Sequence, residues 1–253
     1  MRSNNKCQVE IFMPEFWDPS SGPIFPNQGD QERFWAITRR FIENLGAALK
    51  VDNVRAVYPD AGVAAMLTYQ WKDAKFKISS LNDRKPVSAE DELVIVTCPD
   101  PPGADECRKL VSQLAEQDEA NGIAPRPVVL FNQRLAGGDV GVGLNARRMR
   151  TNFLQPFVVT YSLRPVGETA TVFRKYPEQW KVFVEEETMP GRFRLAKEMP
   201  SRPAGEALDM IISEAYDLPP PGSAPGEVKG PSFVNTLLST LKGVQRFMKG
   251  LSS

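Results

Sequence analysis

The sequence predicts an α/β protein: a layered, mixed and mostly parallel sheet flanked by helices, with an antiparallel β extension and a detached C-terminal amphipathic helix. Two near-continuous apolar runs, residues 93–98 and 127–132, are typical of strands buried on both faces of a parallel sheet. Segments with helical periodicity alternate with strand-like segments up to residue 132, whereas short β segments dominate after residue 157.

The N-terminal half gives this alternation in order. Residues 7–13 alternate apolar and polar side chains, which predicts a first strand. After a loop rich in proline and glycine, Asp30 is the predicted N-cap of a helix with apolar residues at helical spacing. Residues 54–58 are a short predicted strand, and Asp60 is placed to cap the next helix. The remaining elements are strands at residues 76–81, 93–98 and 127–132 and a helix ending near residue 121.

The C-terminal half is predicted to begin with a helix near residues 143–155. An antiparallel meander and a further helix follow, and residues 7–216 are expected to form a single α/β domain. The meander strands are predicted at residues 158–163, 169–175, 180–186 and 193–197, and the helix at residues 206–215. Prolines and glycines predict a linker over residues 217–232. Residues 233–251 are then predicted to form the detached helix.

Composition excludes several kinds of chemistry. The 253 residues include no histidine, which removes Ser–His and Cys–His nucleophile pairs and every imidazole metal ligand. Lysine plus arginine equals aspartate plus glutamate at 31 each, so no global field favours nucleic acid. Stacking arrays of aromatic residues are also lacking. We therefore expect no catalytic residue of these classes, no metal, no cofactor and no nucleic-acid partner. The absence of a long apolar run predicts a soluble, intracellular type of protein.

The three cysteines are too far apart for a CxxC motif. Cys98 and Cys107 stand nine residues apart across a Pro-Pro-Gly turn, so their spacing allows a disulfide. Free thiols are the simpler interpretation, and they suit a reducing compartment.

A glycine-rich segment, residues 137–143, lies between the second buried strand and a predicted helix. Its position would let backbone N–H groups cradle a phosphate, but it matches neither the P-loop nor the GxGxxG pattern. A tight turn whose glycines supply positive φ angles is the simpler explanation. Both interpretations stay open at this point.

Basic residues surround that segment. Between residues 134 and 175 there are seven basic residues and two acidic ones. A site for an anion or an acidic protein and a solvated helix face both fit this pattern. The candidate partner- or anion-binding residues are Arg134, Gly141, Gly143, Arg147, Arg148, Arg150 and Arg164.

The C-terminal helix has one apolar stripe and one basic stripe, and no acidic residue follows Glu227. The apolar stripe would fit against the core of the preceding domain. A basic helix on a proline-rich tether would equally fit a membrane surface or a client protein. The candidate docking residues are Val234, Leu237, Leu238, Leu241, Lys242, Arg246, Met248 and Lys249.

Five segments together carry a resemblance to a known family: residues 57–63, 129–134, 139–148, 160–165 and 172–180. The resemblance extends over residues 7–216. The family that these segments resemble is a domain of unknown function found in cyanobacteria and chloroplasts. Its members include the low photosystem II accumulation assembly proteins and the C-terminal extension of a chloroplast adenylate kinase.

The resemblance implies a location in the chloroplast stroma or on the stromal face of the thylakoid membrane, and no known reaction. The leading interpretation is a non-enzymatic assembly or auxiliary factor that binds a thylakoid membrane protein complex, with photosystem II as the first candidate. Its partners would be that complex or its subunits, together with peripheral membrane contact. The alternative is a phosphate- or nucleotide-binding module, which could be an enzyme, built on residues 137–143 and the arginines after them.

Overall fold

A computed structural model of the chain describes residues 5–18, 22–136 and 144–218. The strands are β1 (Lys6–Ile11), β2 (Trp17–Asp18), β3 (Gly22–Pro23), β4 (Val54–Tyr58), β5 (Lys77–Ser80), β6 (Leu93–Thr97), β7 (Val128–Phe131), β8 (Val158–Val166), β9 (Ala170–Lys175), β10 (Trp180–Glu186) and β11 (Met189–Met199). The helices are α1 (Asp30–Leu49), α2 (Ala61–Gln70), α3 (Ala104–Ala120), α4 (Leu144–Met149) and α5 (Glu206–Ala215), and a π-helix, Arg150–Leu154, directly follows α4. The predicted helix over residues 233–251 and most of the predicted linker lie outside the described residues.

Nine of these strands belong to one mixed sheet flanked by helices, and β2 and β3 form a separate two-stranded hairpin. The predicted fold class is therefore confirmed. The chain divides into two compact units. Among the described residues, the first unit comprises residues 5–9, 25–136 and 144–159, and the second comprises residues 10–18, 22–24 and 160–218. The prediction of a single domain over residues 7–216 stays a prediction.

The strands of the first unit are parallel and lie in the order β1-β7-β6-β4-β5. Both β6 and β7 have neighbours on each side, and every residue of these two strands is buried. The two apolar runs are thus central strands, as predicted, because a strand covered on both faces has no polar side to expose.

Helices cover both faces of this parallel sheet. On one face, Phe41 of α1 stacks on Phe131 of β7, with ring centroids 4.3 Å apart. On the other, Leu110 and Leu114 of α3 lie in one apolar cluster with Val94 of β6. Layers of this kind bury the near-continuous apolar strands between them.

The start of α1 differs from the prediction. Gly29, in the left-handed region at φ 85°, is the N-cap, and Asp30 is the first helical residue. The buried Asp30 carboxylate accepts a hydrogen bond from the backbone N–H of Asn27 (2.9 Å) and pairs with Arg33. Hydrogen bonding to Arg33 and to the Asn27 backbone lowers the pKa of Asp30. The prediction that Asp30 is the N-cap is therefore wrong by one residue.

A buried ion pair holds the segment that enters β7. The guanidinium Nε of Arg126 donates to Asp118 Oδ1 (2.6 Å), and the Arg126 backbone N–H donates to Asp118 Oδ2 (2.8 Å). Arg126 also donates to the backbone carbonyls of Ser88 (2.7 Å) and Asp91 (3.2 Å). This one side chain therefore ties α3 and the loop before β6 to the start of β7.

The strands of the second unit are antiparallel and lie in the order β11-β10-β9-β8. The predicted meander is confirmed, and β11 extends beyond its predicted bounds at both ends. Buried Leu208, Ile211 and Ile212 mark the inner face of α5. At the end of that helix, the Tyr216 hydroxyl donates to the backbone carbonyl of Glu185 (2.9 Å).

Candidate functional site

The structure places the predicted basic residues in two groups. Arg134, Arg147, Arg148 and Arg150 belong to the first unit, and Arg164 belongs to the second. Gly141 and Gly143 lie in residues 137–143, outside the described residues, so the phosphate-loop prediction stays a prediction.

Among the first group, Arg147 and Arg148 are exposed on α4. The neighbouring Met149 and the π-helical Phe153 point the other way, since both are buried in the apolar cluster. The side chains that anchor this segment are therefore apolar, and its two adjacent guanidinium groups face solvent. Such a pair can attract an acidic partner without any rearrangement of the core.

The connections between the parallel strands of the first unit reverse direction between β4 and β6. From β4 the chain continues through α2 to β5, whereas from β6 it continues through α3 to β7 on the opposite side. Open α/β sheets bind ligands beyond the carboxyl ends of strands at such a reversal of direction. The general rule therefore points to the edge between β4 and β6.

The turns at this edge are stabilised by capping carboxylates. Asp60 follows β4 and accepts a hydrogen bond from the Val63 backbone N–H (2.9 Å), so the predicted cap of α2 is confirmed. Asp100 follows β6 and accepts from the Gly103 backbone N–H (3.1 Å), just before α3. Both carboxylates thus have a structural role in ending one element and starting the next.

Strained backbone occurs at the same edge. Cys98, directly after β6, has φ 47°, and Asn132, directly after β7, has φ 49°. The backbone N–H of Cys98 donates to Phe131 O (2.7 Å), and that of Asn132 donates to Val9 O (2.9 Å). The left-handed region is unfavourable for a cysteine, and such residues often concentrate at functional sites.

Two buried polar groups near this edge lack a hydrogen-bond partner. They are the indole N–H of Trp35 and the hydroxyl of Tyr58, whose rings meet edge to face with centroids 5.4 Å apart. Burial is the largest influence and raises the pKa of Tyr58, and the Thr38 side chain lowers it by less. Tyr58 therefore stays a neutral phenol at physiological pH.

Two cysteines of this unit, Cys98 and Cys107, are poor nucleophiles. Cys98 and Cys107 are buried free thiols, so the disulfide that their spacing allowed is not formed. Burial raises the pKa of each to about 12. Since the thiolate is the reactive form, neither side chain is suited to covalent catalysis near neutral pH.

The second unit contains a cluster that we call the Trp180 cluster: Glu10, Ser162, Arg164, Arg174, Trp180 and Arg202. The guanidinium carbons of Arg174 and Arg202 each lie 5.2 Å from the centroid of the Trp180 ring. Arg202 pairs with both carboxylate oxygens of Glu10, at 3.3 and 3.2 Å. The Ser162 hydroxyl donates to Glu10 (2.9 Å), and Arg164 lies 3.8 Å from the same carboxylate.

Sequence reasoning found Arg164 but missed the centre of this cluster. Glu10 and Arg202 are 192 residues apart, so no local pattern joins them. One signal was present: in an antiparallel meander Ser162 lies opposite Arg174, as the observed register shows. The approach of Arg202 depends on tertiary structure alone.

The remaining predictions concern a metal site, a membrane-spanning segment and the docking residues near the C-terminus, and the structure bears on them only within the residues that it describes. Within residues 5–18, 22–136 and 144–218, no three His, Cys, Asp or Glu side chains are grouped so that they could hold a metal ion. No helix in the same ranges is long and apolar enough to cross a membrane. The candidate docking residues of the predicted C-terminal helix, from Val234 to Lys249, lie outside the described residues.

The fold and these clusters define an α/β protein with a mixed sheet and with candidate arginines in each of its two units. Residues 2–210 match the family described as "Domain of unknown function (DUF1995)", and the chain belongs to that family. Neither a curated protein nor a solved structure matches the chain.

Proposed function

We propose that the protein is a non-enzymatic assembly or auxiliary factor that binds a thylakoid membrane protein complex, with photosystem II as the first candidate. It would act in the chloroplast, in the stroma or on the stromal face of the thylakoid membrane. The observation that carries the proposal is the exposed pair Arg147 and Arg148, set on a helix whose apolar side is anchored in the core.

The resemblance to the low photosystem II accumulation proteins supports the identity of the client. Two of the segments that carry the resemblance, residues 57–63 and 129–134, contain the carboxyl ends of β4 and β7. Of two others, residues 160–165 lie in β8, and residues 172–180 run from β9 through the following turn to the start of β10. These segments therefore include surface-forming turns as well as core strands, and turns and loops are where binding residues concentrate.

The direct test is co-sedimentation and pull-down with thylakoid membranes. Arg147→Glu/Arg148→Glu should reduce recovery of the membrane complex at least tenfold, because two charges are reversed at the proposed contact. The matched control is Arg108→Glu/Lys109→Glu, which reverses two adjacent exposed cations on α3 of the same unit. Equal recovery with both double variants would contradict the proposal.

Folding can be separated from binding in this test. Substitutions of exposed residues away from caps and cores change the unfolding free energy by about 0.5 kcal/mol or less. Both double variants should therefore melt close to the parent protein. A loss of binding that coincides with unfolding of the first double variant would mean that these arginines are structural.

The predicted C-terminal helix, residues 233–251, is the second part of the proposal. On an anionic membrane, each of Lys242, Arg246 and Lys249 would contribute about 1 kcal/mol, decreasing with added salt. A chain truncated after Leu218 should keep its melting temperature and lose membrane association. If truncation instead lowers the melting temperature with association retained, the helix is part of the core and does not serve as a tether.

A second candidate function is a phosphate- or nucleotide-binding module. Its support is the place of residues 137–143 in the sequence, a few residues after β7, because open parallel sheets bind ligands beyond the carboxyl ends of their strands. A ligand at about 100 times its Kd would stabilise the fold by about 2.7 kcal/mol. A nucleotide-dependent rise in melting temperature, with normal recovery of Arg147→Glu/Arg148→Glu on membranes, would favour this function over the first.

A further inference from the structure

We infer that the Trp180 cluster of the second unit is a binding site for an oxyanion, a phosphate or a carboxylate group. Arg174 and Arg202 would bind this anion, and the anion would compete with the Glu10 carboxylate for Arg202. This inference stands apart from the proposed function, because it concerns other residues in the other unit.

Arg174 is held in place by aromatic rings. Its guanidinium carbon lies 5.2 Å from the Trp180 centroid and 5.9 Å from the Tyr176 centroid. Its Nε is buried and has no hydrogen-bond partner. Among the described residues no carboxylate pairs with this guanidinium, so its stabilisation there comes from cation–π contact rather than from an opposite charge.

Arg202 brings a second cation to the same indole. Because both guanidinium carbons lie 5.2 Å from one centroid, they are within about 10 Å of each other, which is about one Debye length at 0.1 M salt. Like charges at this separation repel when they are partly buried. Glu10 already offsets the charge of Arg202, and an anion that contacts both guanidinium groups would offset the charge of Arg174 as well.

The site already accommodates a carboxylate. Glu10, with a side chain 12% exposed, contacts Arg202 through both oxygens and accepts from Ser162. One of these contacts is a hydrogen bond from Arg202 Nη1 (3.3 Å) and the other is an ion-pair contact at Nη2 (3.2 Å), which is close to the two-point arrangement in which arginine binds carboxylates and phosphates. An incoming oxyanion would offer the same pair of oxygens, and it could contact Arg174 as well.

The side chain of Arg202 is 25% exposed and Trp180 is 3% exposed, so only a small part of the cluster is accessible from solvent. A ligand that reaches it must therefore be small or extended. The planar fork of arginine matches phosphate and carboxylate oxygens alike. The shared chemistry is thus an oxyanion presented at the surface, either a free phosphate group or the acidic side chain of a peptide.

The experiment measures affinity by calorimetry with two probes, inorganic phosphate and an N-acetylated tetraglutamate amide, on the full chain. Arg174→Gln should weaken binding of the recognised probe at least tenfold. The matched control is Lys175→Gln, which removes one charge from the next residue of β9, on the opposite face of the strand. Its effect should be less than twofold.

Glu10→Gln provides an outcome that misfolding cannot imitate. Removal of the competing carboxylate should raise the affinity at least threefold. Binding of phosphate identifies a phosphate group as the ligand, and binding of the peptide alone identifies a carboxylate. The inference is overturned if neither probe binds, if Arg174→Gln and Lys175→Gln have equal effects, or if Glu10→Gln leaves the affinity unchanged or lower.

Discussion

The two units use charged side chains in opposite ways. In the first unit, Arg126 and Asp118 are buried, with side chains 6% and 4% exposed, and they fix the path of the backbone. In the second, Arg202 and Glu10 remain 25% and 12% exposed at the surface of an antiparallel sheet. A buried pair must be fully hydrogen-bonded to be tolerated, whereas a pair that solvent reaches in part has less to lose when a partner is exchanged. The first arrangement suits structure, and the second suits binding.

The largest difference should appear when each kind of pair is broken. Arg126→Ala leaves Asp118 buried without its partner, and we expect a loss of about 3–5 kcal/mol in unfolding free energy. Denaturant titration measures this loss. Arg108→Ala, which breaks the exposed pair with Asp105, should cost no more than about 1 kcal/mol. Similar losses of unfolding free energy for the two variants would contradict the contrast between buried and exposed ion pairs.

A second prediction compares the strands of the units. Leu130 in β7 is 0% exposed, so Leu130→Ala should cost about 2–5 kcal/mol through lost burial and a new cavity. Leu195 in β11 is 47% exposed, and Leu195→Ala should change the unfolding free energy by about 0.5 kcal/mol or less. A large cost for Leu195→Ala would show that β11 is covered in solution.

The contrast between these strands also explains how well the sequence predicted the fold. Residues 93–98 were recognisable because a parallel strand buried on both faces leaves an uninterrupted apolar run.

Helix α1 was placed correctly, but its apolar side chains do not all point inward: Ile37 is 37% and Leu49 is 53% exposed. Phe34, Trp35, Thr38, Ile42 and Gly46 form its buried face. The positions of apolar residues in the sequence therefore did not determine which face of α1 is turned towards the core.

The candidate sites were harder to predict than the fold. Arg147 and Arg148 could be found because a run of basic residues on a helix is visible locally. The Trp180 cluster could not, since Glu10 comes from the first strand and Arg202 from the segment before α5. Long-range pairings of this kind depend on strand order, which periodicity does not supply.

The smallest expected effect concerns the start of α2. Asp60→Ala removes the hydrogen bond from the Val63 N–H and should cost about 1 kcal/mol. Asp60→Asn keeps an accepting oxygen at the N-cap and should restore most of that stability, as thermal denaturation would show. If the alanine and asparagine variants are equally destabilised, charge rather than capping is the important property of Asp60.

The central claim is that the surface arginines form two independent binding sites, one in each unit. The most direct test measures thylakoid recovery and oxyanion affinity together for two variants. Arg147→Glu/Arg148→Glu should lose recovery of the membrane complex and keep its oxyanion affinity. Arg174→Gln should lose oxyanion affinity and keep membrane recovery. If each variant loses both activities, the arginines act as one surface and the account of two sites is wrong.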